Sequence, residues 1–257
     1  MYSKPKKSLG QHFLTDKNIA AKIVNSIQTE SPSSIIEIGP GRGVLTDFLI
    51  NRFPETLQLI EIDTELSKSL LEKYPSLNKK ILNADFLTID QGYFSNNSVI
   101  IGNFPYNISS QIFFKILSNK EYVQEVVCML QKEVAERISS SHNNKTYGIL
   151  SVLLQAHFDI KYLFSVNPQV FSPPPNVKSA VIRLERKKNI ILDYDEQLFI
   201  KIVKASFNHR RKILKNSLLT IFPLMSYKNP VFQKRPEQLA VKDFIFLTNL
   251  ISDLNKS

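Results

Sequence analysis

Cysteine is nearly absent from this 257-residue chain: Cys128 stands alone, so intrachain disulfides and thiolate metal clusters are excluded. The four histidines, at 12, 142, 157 and 209, are scattered and lack the close pairing of a helical metal site, so no metal is expected. No apolar run approaches a spanning length, and no membrane association is expected. Residues 1–10 are basic and carry no apolar core of a signal peptide, which makes the cytoplasm the default location. Repeats and low-complexity tracts are missing too. Acidic residues are the scarcer charge, 23 against 33 Lys and Arg, leaving a net charge of +10. Such a field favours a polyanionic partner, nucleic acid before membrane. Apolar and charged content are otherwise those of a soluble globular chain long enough for one large domain or two smaller ones.

What is present reads as alternating strands and helices. Lys4, Lys6 and Lys7 open a basic arm, Asp16 suits an N-cap, and Ile19, Ile23, Val24 and Ile27 recur at helical spacing. Ile35–Ile38 is a short buried-strand signal, followed at once by Gly39-Pro40-Gly41-Arg42-Gly43 and a helix beginning at Val44. Strand, glycine loop and helix form the first half of a dinucleotide-type fold. Further strands are expected at 57–60, 81–82, 99–101, 126–130, 162–166 and 179–184. Their alternation with helices predicts an α/β fold with a mostly parallel sheet covered on both faces. The charged run Glu185–Lys188 marks a domain boundary, giving a first domain over 1–186 and a helical one over 187–257. In the second, helices are expected over 196–207, through Leu214, Leu218 and Ile221, and over 237–253 with Pro236 in the first turn.

Chemistry concentrates where strands end. Gly39, Gly41 and Gly43 let backbone approach a ligand where a Cβ would clash. Nicotinamide and flavin enzymes use such loops as well, but here the spacing is Gly-x-Gly-x-Gly and the preceding strand carries Glu37. Glu61 falls about twenty residues past the loop, where a carboxylate can meet a ribose diol. Glu61 and Asp63 read equally as solvated strand ends, and Asp85 as a plain turn residue. Asn103-Phe104-Pro105-Tyr106 follows a buried strand, with Ser109 a fair N-cap for the next helix. An amide beside an aromatic ring suits a flat base whose edge carries an amino group. An ordinary Asn-Pro turn is the plain alternative. Phe171 opens a triple-proline loop as an exposed-looking aromatic. Lys204, Arg211 and Lys215 fall at i, i+7 and i+11, on one side of a helix.

The chain resembles the class I S-adenosylmethionine-dependent methyltransferases, and among them the KsgA-type dimethyltransferases that modify adenosines of small-subunit ribosomal RNA. The matching stretches are 9–14, 37–43, 61–63, 103–109, 130–133, 147–148, 171–175 and 207–212, in the family's order over nearly the whole chain. Phe104 stands where leucine is commoner and His12 where asparagine is often found.

The resemblance implies a Rossmann-like, seven-stranded methyltransferase domain, a small all-helical domain, and S-adenosylmethionine as cofactor. Cofactor contacts would fall on His12, Leu14, Gly39, Gly41, Gly43, Glu61, Asp85 and Asn103. Asn103 and the backbone of Phe104, stiffened by Pro105, would hold the target amine, with Tyr106 and Phe171 on the two faces of the base. Lys204, Arg210, Arg211, Lys212 and Lys215 would grip RNA phosphates. The implied partner is small-subunit ribosomal RNA, or the pre-assembled small subunit. A large-subunit adenine dimethyltransferase of the antibiotic-resistance type shares the signature but fits the 207–212 run and the proline loop less well. A non-catalytic nucleic-acid-binding factor of the same fold is the alternative from another class, and a nicotinamide oxidoreductase is more distant still.

Overall fold

The computed structural model describes residues 5–6, 9–188, 193–222 and 228–256. Lys4 and Lys7 of the expected basic arm lie outside them, as do residues 189–192 just past the expected boundary run. The chain divides into two compact units. One comprises 1–135 with 159–186, the other 136–158 with 187–257.

The first unit opens with β1 (Phe13–Leu14) and α1 (Lys17–Val24), the latter capped by the Asp16 carboxylate, which accepts from the N–H groups of Asn18 and Ile19. There follow β2 (Ser34–Ile38), α2 (Thr46–Arg52), β3 (Leu57–Glu61), α3 (Thr64–Lys73), β4 (Ile81–Asn83), β5 (Ser98–Asn103), α4 (Ser109–Ser118) and β6 (Val123–Gln131). The chain then passes through α5 (Lys132–Ser139) and α6 (Ile149–His157), which lie largely in the second unit, and the sheet is completed by β7 (Phe158–Val166) and β9 (Ser179–Arg186). Between those two, β8 (Phe171–Ser172) pairs antiparallel with β1.

The main sheet has the order β4-β3-β2-β5-β6-β9-β7, parallel from β4 to β6 and antiparallel at β6–β9. This is the expected mostly parallel seven-stranded sheet. Strands β2 and β5 have buried apolar centres, as strands covered on both faces do; Ile35, Ile36, Val99, Ile100 and Ile101 are all fully buried. From β2 the chain first builds outward through β3 and β4, then returns to place β5 on the other flank. A switch point therefore lies between β2 and β5, at the carboxyl ends where such sheets open a crevice. Ser109 does not cap α4: Ile108 holds that position, and the Ser109 hydroxyl donates back to the Tyr106 carbonyl at 3.3 Å.

A buried carboxylate fastens α1 to the sheet. Glu125 on β6 accepts from the N–H of Gln28 (3.0 Å) and from the N–H and hydroxyl of Thr29 (2.8 and 2.7 Å), with Arg183 on β9 at 3.8 Å. Glu125→Ala would strand those donors and leave the buried guanidinium short of its counter-charge. It is expected to lower the unfolding free energy by about 3 kcal/mol, measured by urea denaturation. A loss below about 1 kcal/mol would mean that solvent replaces the carboxylate.

The second unit is helical. α7 (Glu196–Asn208), α8 (Leu214–Leu218) and α9 (Val241–Lys256) join α6 in it. The division expected at Arg186 keeps residues 136–158 with the first domain. By packing they belong to the second unit, where the Tyr147 ring meets Phe207 edge-on and Phe207 stacks on Phe244. The last helix begins at Val241, not near 237. Pro236–Gln238 is a separate 3-10 turn, and the Asp243 carboxylate reaches back to the Ala240 N–H to start the helix there. The single basic helix face expected through 204–215 is also broken. α7 stops at Asn208, a turn closes from the Lys212 N–H to the His209 carbonyl, and Ile213 is extended before α8. Lys204 and Lys215 thus sit on different helices.

Candidate active site

Strand register brings three loops together at the switch point. Ile38 lies opposite both Ile60 on β3 and Gly102 on β5, so Gly39, Glu61 and Asn103 emerge side by side. The Gly39 N–H donates to the Ile60 carbonyl at 2.9 Å. His12, Leu14, Gly39, Gly41, Glu61, Asn103, Phe104, Pro105 and Tyr106 all line one pocket there, and Glu37 lines it too.

The glycine loop runs through three left-handed residues, Gly39, Gly41 and Gly43 at φ +62°, +58° and +78°. They serve different ends. Over Gly39 the space is open, so a ligand can approach the bare backbone. A Cβ at Gly41 would press on the Phe13 ring at 3.0 Å, which packs β1 directly onto the loop. A Cβ at Gly43 would enter the Tyr74 ring, whose hydroxyl donates to the Gly43 carbonyl at 2.8 Å. Gly43 is therefore set into the helix packing and stands outside the pocket wall.

Both acids at the end of β3, Glu61 and Asp63, are buried, so neither is a solvated strand end. The Glu61 carboxylate accepts from the N–H of Gly41 at 3.0 Å and of Asp63 at 2.9 Å. Burial raises its pKa, and those two N–H groups oppose the rise. Asp63 is an anchor: it accepts from Lys6 Nζ (2.9 Å), Gln11 Nε2 (3.1 Å) and the Glu65 N–H at the start of α3. Burial pushes the Asp63 carboxyl up, but the Lys6 ammonium, the Gln11 amide and the N–H groups of Glu65 and Leu66 hold it below its usual value. Lys6 and Gln11 are thereby held at the carboxyl end of β3, with Gln11 on the pocket wall.

At the other flank, Asn103 Nδ2 donates to the His12 carbonyl at 2.9 Å. A carbonyl can only accept, so this bond fixes the amide's orientation and leaves Oδ1 as an acceptor on the pocket wall. Tyr106 is held twice, by a 2.6 Å hydrogen bond between its hydroxyl and Ser179 Oγ and by the His12 ring stacked 5.6 Å from its own. His12 Nδ1 in turn donates to the Pro173 carbonyl at 2.9 Å. The Phe104 side chain is buried edge-on against Phe113.

Besides Gly43, two further expected residues stand apart from this pocket. Asp85 follows β4, and its carboxylate accepts from the Leu87 N–H at 2.9 Å, capping a short turn. Phe171 is not exposed: paired opposite Leu14 in the β1–β8 ladder, it joins the core with Leu14 and Val166 and is 4% exposed. Glu37 had a place in the sequence pattern but no role there. The Lys6, Gln11 and Asp63 set and the His12–Tyr106 stack carry no local sequence signal. Of the expected phosphate-binding residues in the second unit, Lys204, Arg211, Lys212 and Lys215 are exposed, and the half-buried Arg210 donates to the Asn144 carbonyl at 3.2 Å. Among the described residues there is no cluster of His, Cys, Asp and Glu able to hold a metal, and no helix long and apolar enough to cross a membrane.

A family model described as ribosomal RNA adenine dimethylase matches residues 2–245. A protein of Bacteroides fragilis named ribosomal RNA small subunit methyltransferase A is 49% identical, over 98% of this chain and 94% of its own length. One of the same name from Flavobacterium johnsoniae is 49% identical over 96% of each. Among solved structures, a dimethyladenosine transferase from Plasmodium falciparum has TM-score 0.77 at 23% identity, covering 95% of this chain and 98% of that one, a likeness of fold. The 23S rRNA methyltransferase ErmE has TM-score 0.69 at 25% identity over 92% and 99%.

Proposed function

Since the chain belongs to the ribosomal RNA adenine dimethylase family, we propose that this pocket holds S-adenosylmethionine beside the exocyclic amine of an adenosine in small-subunit ribosomal RNA. The chain is an enzyme of that family, an rRNA adenine dimethyltransferase. The fixed Asn103 amide carries the reading of the site: Oδ1 accepts no hydrogen bond among the described residues and stands on the pocket wall.

The pocket's chemistry fits a cationic methyl donor. Glu37 and Glu61 are both buried there, and among the described residues neither has a cation bonded to it. When bound, the cofactor supplies a methyl group on a sulfonium, itself the activated electrophile. Glu61 would accept from the ribose hydroxyls, with the backbone at Gly39 and Gly41 against the methionine portion and His12 and Leu14 along the opposite wall. Asp85 would take the adenine amino group of the cofactor. It lies just past Asn83, which pairs with Glu61.

The target amine is a weak nucleophile because its lone pair is drawn into the ring. Asn103 Oδ1 and the Phe104 carbonyl would accept its two N–H groups, favouring a pyramidal nitrogen and aiming the lone pair. The free face of Tyr106 would stack on the extruded base, since His12 covers the other. Phe171, buried in the core, is given no part in this. The exposed cations of the second unit would hold RNA phosphates, which positions the substrate without reading sequence. Arg211→Ala and Lys215→Ala should each lower the slope of log affinity against log salt by about one, measured by RNA binding between low and moderate salt. Unchanged slopes would assign those residues to a solvated face.

The deciding experiment is transfer of labelled methyl from S-adenosylmethionine to purified small subunits lacking the modification, with large subunits in parallel. Label in small-subunit adenosines supports the proposal. Label only in large-subunit RNA would move the chain to the resistance type, and RNA binding without label would make it a binding factor. Small-subunit ribosomal RNA, or the pre-assembled small subunit, is the expected substrate, and the cytoplasm the expected place of action.

A further inference from the structure

Glu37 is the penultimate residue of β2, one before Ile38 and the glycine loop, and its side chain is buried while lining the pocket. Its hydrogen bond among the described residues comes from the Thr46 hydroxyl on α2, at 2.7 Å. A neutral hydroxyl does little to offset the cost of burying a carboxylate. The charges around it do not settle the matter either. Glu61 from β3 and Asp47 from α2 disfavour ionisation; Lys73 from α3 favours it, but its ammonium is 2.9 Å from Asp47. Arg42 and His12 share the pocket wall. A buried carboxyl in this position responds to whichever charge enters the pocket.

We propose that Glu37 lets the pocket tell the methyl donor from its spent product by charge. The carboxyl releases its proton to solvent when the sulfonium-bearing donor binds, and takes one back once methyl transfer has left a neutral thioether. The donor carries one positive charge more than the product, so only the donor gains an ion pairing with the carboxylate that forms. Burial, with the Glu61 charge adding to it, pushes the Glu37 carboxyl up to about 8 against an ordinary 4.5. In the ligand-free protein this group therefore contributes stability below about pH 4.5 that is lost as the pH rises through about 8. Donor binding should cancel that loss.

This inference rests on the cofactor reading given above, and calorimetry separates the two. S-adenosylmethionine and S-adenosylhomocysteine are titrated into the full chain at pH 7 in two buffers of different ionisation enthalpy. Donor binding should release close to one proton and product binding much less. Donor affinity should rise by up to about tenfold per pH unit between about 6 and 8, with a much shallower slope for the product. Glu37→Gln should abolish the proton release and flatten the donor's slope. Should that variant fold poorly, Thr46→Val, which removes the hydroxyl that favours the ionised form, should displace the donor's pH midpoint upward. Donor binding with no proton release, or an equal release for both ligands, overturns the inference while leaving the cofactor reading intact. Failure of both ligands to bind removes the cofactor reading, and the inference with it.

Discussion

Asn103→Ala is expected to cut methyl transfer to undermethylated small subunits by about 10²–10³-fold, with donor affinity changed by no more than about tenfold. The amide has two faces with separate tasks. Its nitrogen is spent on the His12 carbonyl, 2.9 Å away, and its oxygen is what remains for the target amine. Alanine removes both, so the strap behind the amide loosens while the pocket floor stays. Asn103→Asp sharpens the test. A carboxylate keeps an acceptor for the amine but cannot donate to the His12 carbonyl, and its second oxygen would face that carbonyl with like polarity. If the aspartate variant kept full activity, the orientation imposed by His12 would be irrelevant. If either variant lost only donor affinity, with kcat unchanged, Asn103 would be a cofactor residue and not the acceptor for the amine.

Glu61→Gln is expected to weaken S-adenosylmethionine binding by about 10²-fold while leaving RNA affinity unchanged. The carboxylate already accepts from the Gly41 and Asp63 N–H groups, and it retains lone pairs for a diol. A glutamine has one acceptor oxygen for all of these, and its amide N–H groups would oppose the backbone donors. The loop turn at Gly41 would then lose its anchor at the moment the ribose loses its acceptor. Calorimetric titration measures the change directly. A shift of less than about threefold, roughly half of one ordinary hydrogen bond, would mean the ribose is held elsewhere.

What could be read from the chain was whatever a few consecutive residues carry. Ile35–Ile38 into Gly39, Leu59 into Glu61 and Ile101 into Asn103 each place a chemical group at the end of an apolar run. Parallel strand order then brings those ends together with no further information. Residues whose role depends on a distant partner could not be read this way. Phe171 looks exposed beside three prolines, yet its pairing with Leu14 turns the ring into the core. Asp63 looks like a solvated strand end until Lys6 and Gln11, more than fifty residues earlier, are brought onto it. Gly43 belongs to the glycine motif by spacing but answers to the Tyr74 ring. Helical periodicity also carries through a break it cannot see, which is why Lys204 and Lys215 read as one face although the turn at His209–Ile213 separates their helices.

The short ladder between β1 and β8 bears on how the protein matures. Phe13–Leu14 pairs with Phe171–Ser172, and His12 reaches the Pro173 carbonyl 161 residues along the chain. Closing so long a loop is slow and entropically costly, and it precedes the contacts that reward it. During synthesis from the amino end, the glycine loop, Glu61 and Asn103 can all be extruded and folded while residues 12–14 still have no strand to pair with. A nascent chain that stops short of Pro173 therefore has the pocket's floor but not its finished wall. On the cofactor reading proposed above, donor binding would report on completion of almost the whole first unit, and free donor would draw the late-folding chain toward its closed state by mass action.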